Sequence, residues 1–212
     1  MKQFLPLGCL LLLLTGCSKS TVPGPTDAER GSIRFDCNIS AQVTKIQDGN
    51  TKADQTTREL PASCLPDANQ MKLHLTGTST ATEYHYENMA AYDQPLLDPD
   101  DYTAHFTYGD PEAEGPQAAY FEGKTTCPVA ARQTVTQPVT HALANSLYTL
   151  EFSEWFKKYY TSCQIQITTS SGYQSGHTIT SVTDPVPIFV KPNSTLYMSG
   201  TAVKTNGAEV TF

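Results

Sequence analysis

The chain has 212 residues, and its 14 Lys and Arg against 21 Asp and Glu give a formal net charge of −7. An acidic chain without a cluster of basic residues lacks the positive surface that phosphate backbones require, so we expect no nucleic-acid partner. The length is enough for one large β domain or two small ones.

The N-terminus predicts a secreted, lipid-anchored protein. Lys2 precedes a largely apolar segment, residues 4–14, which has the length of a signal-peptide core and falls short of the roughly 20 residues of a membrane span. Leu14-Thr15-Gly16-Cys17 then resembles the lipobox of bacterial lipoproteins. We therefore expect a signal peptide over residues 1–16 and acyl chains, palmitate among them, on Cys17. The alternative is a plain secretory signal with an incidental cysteine.

The segment after Cys17 is predicted to be a flexible tether. Residues 18–30 contain Pro and Gly and almost no apolar side chain, so they cannot bury enough surface to fold. We assign residues 17–30 to the lipidated N-terminus and tether, and residues 31–212 to a single β-sandwich domain.

Four cysteines follow Cys17, and an even number in a secreted chain is compatible with disulfides. The first pairing we consider is Cys37 with Cys64 and Cys127 with Cys163. Buried free thiols, which pack as small hydrophobic side chains, are an equally open alternative. No Cys or His spacing along the chain is typical of a metal site, so we expect neither a metal nor a cofactor.

From residue 31 onward the hydrophobic pattern has the period of two that is typical of strands with one buried face. Apolar residues alternate with polar ones in this way at residues 33–39, 71–76, 102–108 and 148–152. Further strands are predicted at residues 118–121, 134–140, 162–169, 178–183, 186–190 and 196–203. Many short strands separated by Gly, Pro and Asn turns predict an all-β sandwich.

Two segments depart from this pattern. Residues 42–63 are polar and irregular, and we interpret them as a long loop or a strand insertion. Residues 154–160 predict one short helix capped by Ser153, with Phe152, Phe156 and Tyr159 along one stripe and Trp155 beside it.

Several short motifs occur in a recognisable order: Leu97 before Tyr102-Thr103-Ala104, then residues 108–110, 120–123 and 143–145, and finally Phe156 with Tyr159-Tyr160. In this order they resemble an uncharacterised domain family of Bacteroides-type surface lipoproteins that is related in style to the fimbrillins. The resemblance implies an immunoglobulin- or fimbrillin-like β-sandwich on the cell envelope. It implies no activity and no site residues.

Catalytic motifs are not found in the sequence. The nucleophile elbow, the zinc-protease motif and glycine-rich phosphate loops are all missing, and His74 and His105 occupy the polar positions of their strands, as solvated histidines do. Acidic residues at 98–101 and 110–114 would bind calcium only if the two loops met in space. Because Asp beside Pro more often forms turns, we expect no calcium site.

Aromatic residues are the better indication of binding, because a flat ring stacks on a sugar or fills a partner's pocket at small entropic cost. The candidate stacking residues are Tyr84, Tyr86, Trp155 and Tyr160. The alternative is that the aromatic residues of the short helix cap the sandwich.

The sequence therefore predicts an all-β, immunoglobulin- or fimbrillin-like β-sandwich with one short helix and no catalytic residues. We expect a non-enzymatic adhesion or surface-assembly module, anchored to the outer membrane by the lipid on Cys17, on the cell surface or the periplasmic face. Its partner would be an envelope protein or a glycan. The alternative functions are a glycan-binding lipoprotein of a polysaccharide-uptake system and, third, an envelope hydrolase.

Overall fold

The computed structural model describes residues 26–45, 56–150, 152–180 and 187–212. These residues form fourteen strands and one α-helix. In chain order they are β1 Ser32–Ile39, β2 Gln42–Lys45, β3 Thr56–Glu59, β4 Lys72–Gly77, β5 Glu83–Tyr86, β6 Asp100–Tyr108, β7 Phe121–Val129, β8 Thr134–Leu143, β9 Ser146–Tyr148, α1 Glu154–Tyr159, β10 Tyr160–Thr169, β11 Gln174–Thr180, β12 Ile188–Val190, β13 Leu196–Lys204 and β14 Glu209–Thr211.

The larger sheet has six strands in the order β1-β8-β7-β6-β4-β5. All neighbours are antiparallel except β1 and β8, which run parallel in a register that pairs Ser32 with Thr134 and Ile39 with His141. Alternate residues of each strand face a common core, whose fully buried members include Ile33, Leu75 and Phe106. The other face is polar and exposed.

A second layer covers the inner face of this sheet. Leu60, which follows β3, and Phe189 of β12 are buried in the first hydrophobic cluster, and Val43 of β2 and Leu147 of β9 pack against it. The predicted all-β sandwich with one short helix is thus confirmed.

The four-stranded sheet, in the order β11-β10-β13-β14, has a hydrophobic cluster of its own. Cys163, Ile165, Ile167 and Ala202 form it together with residues of β12. The three residues of β12 are all buried: Phe189 joins the first cluster while its neighbours join the second. Strand β12 is therefore buried on both faces and lies between the two clusters. The assignment of residues 31–212 to a single domain stays a prediction.

The predicted tether ends earlier than expected. A short 3-10 turn spans Asp27–Glu29, and Arg30 Nε lies 2.8 Å from Asp98 Oδ1. Arg132 donates from Nε to the Ala28 carbonyl at 2.8 Å. Residues 26–30 are therefore held against the six-stranded sheet, while Cys17 and residues 18–25 lie outside the described residues.

Of the two alternatives for residues 42–63, a long loop or a strand insertion, the second agrees with the structure: β2 pairs with β3 from Gln42 opposite Glu59 to Lys45 opposite Thr56. Residues 46–55 lie outside the described residues. Two other sequence predictions need correction. The strand expected at residues 118–121 begins only at Phe121 and continues to Val129. The strand expected at residues 148–152 is β9, which ends at Tyr148.

The sequence pattern does not mark β7 beyond Phe121, because the next two inward positions are Gly123 and Thr125; Cys127 and Val129 are buried further along. Gly123 stands at an inward position, and a Cβ there would collide with His141 Nδ1. His141 of the neighbouring β8 is fully buried and packs on Phe106 with the ring centroids 4.9 Å apart. The histidine ring thus occupies the space that an apolar side chain of β7 would otherwise fill.

Candidate functional site

The only α-helix of the described residues, α1, carries two exposed aromatic side chains. Ser153 caps the helix, since its Oγ accepts a hydrogen bond from Phe156 N–H at 3.2 Å, and Tyr160 begins β10 directly after the last turn. Trp155 is 67% exposed and Tyr159 is 48% exposed. Because they are four residues apart, the two side chains lie on the same side of the helix.

The two rings stack on each other. Their centroids are 5.7 Å apart and their planes differ by 6°, so the indole and the phenol lie nearly parallel. Lys158 places its ammonium nitrogen 5.3 Å from the Trp155 centroid and 5.5 Å from the Tyr159 centroid. A cation this close to exposed rings is attracted by about 0.5–1 kcal/mol, which helps to hold the arrangement. We call Trp155, Lys158 and Tyr159 the aromatic platform.

The opposite side of α1 anchors the platform to the four-stranded sheet. Phe156 meets Phe152 in a tilted contact with a centroid distance of 4.8 Å and stacks on Tyr160 with one of 4.6 Å. All three pack against the second hydrophobic cluster. The prediction that Tyr159 belongs to this buried stripe is wrong, because its side chain is 48% exposed. In a helix of only six residues, position 159 follows Trp155 to the solvent side rather than Phe156 to the core.

The platform lies at one end of the four-stranded sheet, where α1 leads into β10. Thr205 N–H donates to the Tyr159 carbonyl at 2.9 Å, which ties α1 to the turn between β13 and β14. Strand β14 follows this turn and is an edge strand of the sheet. An exposed aromatic surface of this kind can stack on a planar or apolar ligand.

The other predicted stacking residues do not join this surface. Tyr84 and Tyr86 share one face of β5, as their parity predicts, but that face packs against the first hydrophobic cluster. The ring of Tyr86 meets Tyr92 edge to face at 5.1 Å, and its hydroxyl donates to Asp93 at 3.4 Å. Tyr160 is covered by Phe156. Of the four candidates only Trp155 is strongly exposed, and Lys158 and Tyr159 were not among them.

The cysteines do not form the predicted pairs. Cys37, Cys64 and Cys127 are free thiols, the alternative that the sequence left open. Cys127 belongs to the first hydrophobic cluster and Cys163 to the second, which separates the two members of the second predicted pair. Burial raises the pKa of Cys127 to about 11 and also raises that of Cys37. Both thiols are therefore poor nucleophiles at neutral pH.

The two acidic loops lie at opposite ends of β6, so they cannot share a calcium ion. The strand between Asp100 and Tyr108 spans roughly 27 Å. Asp100 accepts hydrogen bonds from the backbone of Thr80 at 2.8 Å and of Ser79 at 2.9 Å. These bonds, that of Thr80 foremost, lower the pKa of Asp100 to about 2. The carboxylate closes a turn, as Asp commonly does.

Glu114 of the other loop connects the two sheets. Its carboxylate accepts hydrogen bonds from the hydroxyls of Thr169, at 2.8 Å, and Ser171, and from the backbone N–H of Lys191 at 2.8 Å. Burial by itself would raise the pKa of Glu114, but these hydrogen bonds together outweigh it and lower the pKa. Glu112 in turn pairs with Lys191 Nζ at 2.6 Å.

The structure thus defines a mostly β protein with an exposed aromatic platform at one end of its four-stranded sheet. The family described as "Domain of unknown function (DUF4493)" matches residues 29–212, so the chain belongs to this family. In the described residues no helix is long and apolar enough to cross a bilayer.

Two further comparisons bear on the chain. It is similar to a crystal structure of "a putative cell adhesion protein" from Bacteroides ovatus, with 10% sequence identity and a TM-score of 0.39, over 87% of this chain and 86% of that one. The search of curated proteins finds no match.

Proposed function

We propose that this protein is a non-enzymatic, lipid-anchored module of the bacterial outer membrane that acts in adhesion or surface assembly and contacts its partner through the aromatic platform. The observation that carries the proposal is the exposure of Trp155 and Tyr159 as one stacked pair on a helix whose other side is packed in the core. Large exposed aromatic surfaces on soluble domains are often interaction sites.

The platform has the composition of a binding hot spot. Trp and Tyr side chains bury about 150–250 Å² each when covered, and truncating a central one commonly costs about 2 kcal/mol or more of binding energy. Lys158 adds a positive charge beside the rings, on a chain whose net charge is negative. A partner with an apolar or aromatic group flanked by an acidic group would complement this surface.

The sheet edge beside the platform offers a second contact. Strand β14 has a strand neighbour only on its β13 side among the described residues. An extended segment of a partner could add to this edge through main-chain hydrogen bonds, and its side chains would then approach the turn that holds α1. Edge addition supplies affinity, and the platform supplies selectivity.

Anchoring to the membrane rests on the lipobox at residues 14–17. Several acyl chains, each buried methylene contributing about 0.8 kcal/mol, would hold the protein durably on the membrane. Mass spectrometry of the protein purified from its own membrane tests this part: a diacylglyceryl-modified Cys17 at the N-terminus supports it, and an unmodified N-terminus refutes it.

Binding is tested with two substitutions and a matched control. Trp155→Ala and Tyr159→Ala remove the platform, whereas Tyr197→Ala removes another aromatic residue, 59% exposed, on the same sheet. Tyr197 lies roughly 23 Å along β13 from Lys204, the residue paired with Tyr160. The immobilised proteins are incubated with solubilised envelope protein from the producing bacterium. Capture that falls at least about tenfold for both platform variants and persists in the control supports the proposal.

The same platform also supports a second function, the glycan-binding lipoprotein of a polysaccharide-uptake system. An exposed indole next to a phenol is a surface on which a sugar ring can stack. A glycan array separates the two functions. Retention of a glycan that is lost in Trp155→Ala and kept in Tyr197→Ala would favour sugar binding, and capture of protein alone would favour adhesion.

A further inference from the structure

Three neighbouring strands of the six-stranded sheet carry histidines at one level of their register. His85 of β5 lies opposite His74 of β4, and His74 lies opposite His105 of β6. All three stand on the polar outer face. Directly opposed residues of antiparallel strands have Cβ atoms about 4.5–5.5 Å apart, close enough for the imidazole rings to touch.

Two of these histidines converge with a carboxylate. The rings of His74 and His85 stack with their centroids 4.1 Å apart and their planes 18° from parallel. Glu83 Oε2 lies 3.9 Å from His74 Nε2 and 3.5 Å from His85 Nε2. One ligand atom from each of the three residues falls within 4.8 Å of the others. The side chains are accessible from solvent, so an ion could enter freely.

We propose that His74, Glu83 and His85 form a binding site for a divalent transition-metal ion such as Zn²⁺. Zinc binds histidine nitrogen at about 2.0–2.1 Å and carboxylate oxygen at about 2.0–2.2 Å, which places the ligand atoms of a tetrahedral site about 3.3 Å apart. The Nε2–Oε2 distances of 3.5 and 3.9 Å are close to this spacing, and the two stacked imidazole rings would turn so that both Nε2 lone pairs point at the ion. Water would complete the coordination.

Two neighbouring groups bear on this set of ligands. Thr76 Oγ1 lies 3.3 Å from His74 Nε2. Nε2 has a single lone pair, so the Thr76 hydroxyl would have to turn away from this nitrogen when the ion binds. His105 is engaged elsewhere, because its Nε2 lies 2.6 Å from Glu122 Oε1.

The site could not be seen along the sequence. His74 is separated along the chain from Glu83 and His85, and the three side chains meet only through the pairing of β4 with β5. Because strands hold their side chains in fixed directions, the ligands are brought together before the ion binds.

The test is a zinc titration of the purified, tag-free protein in competition with a chromophoric chelator. We expect one equivalent of Zn²⁺ to bind. His74→Ala and His85→Ala should each weaken binding at least about tenfold, as loss of a ligand does in metal sites. Two control variants alter groups outside the site: His105→Ala removes a neighbouring histidine, and Glu87→Gln changes a carboxylate paired with Lys72 at 3.0 Å. Their affinity for Zn²⁺ should stay within about threefold of the wild type.

Two measurements keep the result clear if a variant is poorly folded. Circular dichroism checks that each variant retains the wild-type strand content. Nuclear magnetic resonance of the wild type follows its histidine rings, and zinc should shift the signals of His74 and His85 but not that of buried His141. Failure of the wild type to compete with the chelator would overturn the proposal, as would unchanged binding by His74→Ala or loss of binding by His105→Ala alone.

Discussion

Replacing His141 by leucine should make the protein more stable, although it removes a fully buried residue. Neither ring nitrogen of His141 has a hydrogen-bond partner among the described residues. A buried polar atom without a partner costs about 1–3 kcal/mol, and leucine has a similar volume without such atoms. At pH 7.5 we expect His141→Leu to raise the free energy of unfolding by about 1–3 kcal/mol.

The stability of His141→Leu relative to the wild type should increase as the pH falls. Burial lowers the pKa of His141 below its usual 6.5, so the unfolded chain takes up a proton that the folded chain refuses. The wild type therefore loses stability as the pH drops below 6.5, by at most about 1.4 kcal/mol for each pH unit, until the folded pKa is reached. The leucine variant has no proton to take up at this position.

Urea unfolding followed by circular dichroism at pH 7.5, 6.5 and 5.5 measures both effects. The free energy of unfolding of His141→Leu should exceed that of the wild type at pH 7.5, and by a larger margin at pH 5.5. His105→Leu, which removes an exposed histidine paired with Glu122, serves as the control. Its stability relative to the wild type should not increase as the pH falls. A pH-independent difference for His141→Leu, or a less stable variant at pH 7.5, would refute the reasoning.

Three further predictions follow from packing and hydrogen bonding. Glu114→Gln should lower the free energy of unfolding by about 1–3 kcal/mol near pH 7, because three donors lose their anionic acceptor. Glu112→Gln, which alters the exposed pair with Lys191, should lower it by less than about 1 kcal/mol in the same urea titration. Gly123→Ala should cost about 1–3 kcal/mol by crowding His141, and His141→Ala in the same chain should recover part of the loss; equal losses in the single and double variants would contradict this contact. Cys127 should react with a thiol reagent only after unfolding, because it is buried and its pKa is raised to about 11. Mass spectrometry measures the labelling, and rapid labelling of Cys127 in the folded protein would contradict this prediction.

A strand can be predicted from its own sequence when its inward side chains are apolar along its whole length. In β6, Tyr102, Ala104 and Phe106 alternate with polar residues and are buried, as expected. The helix start at Ser153 was also predictable, because a serine cap is a local signal.

The failures share one cause, the dependence on a neighbouring strand. In β7, Gly123 and Thr125 interrupt the apolar series between Phe121 and Cys127, and His141 of β8 supplies the volume missing at Gly123. The histidine and glutamate cluster depends on the register of β4 with β5. Each of these is a non-local contact that no interval along the chain encodes.

The central claim is that the aromatic platform mediates attachment of a lipid-anchored surface protein. The most direct test compares cells of the producing bacterium that carry the wild type, a Trp155→Ala, Tyr159→Ala double variant, or Tyr197→Ala, with surface display of each measured by antibody on intact cells. Attachment under flow to a layer of wild-type cells is then recorded. The account predicts equal display, with attachment lost in the double variant and kept in Tyr197→Ala; undiminished attachment by a displayed double variant would contradict it.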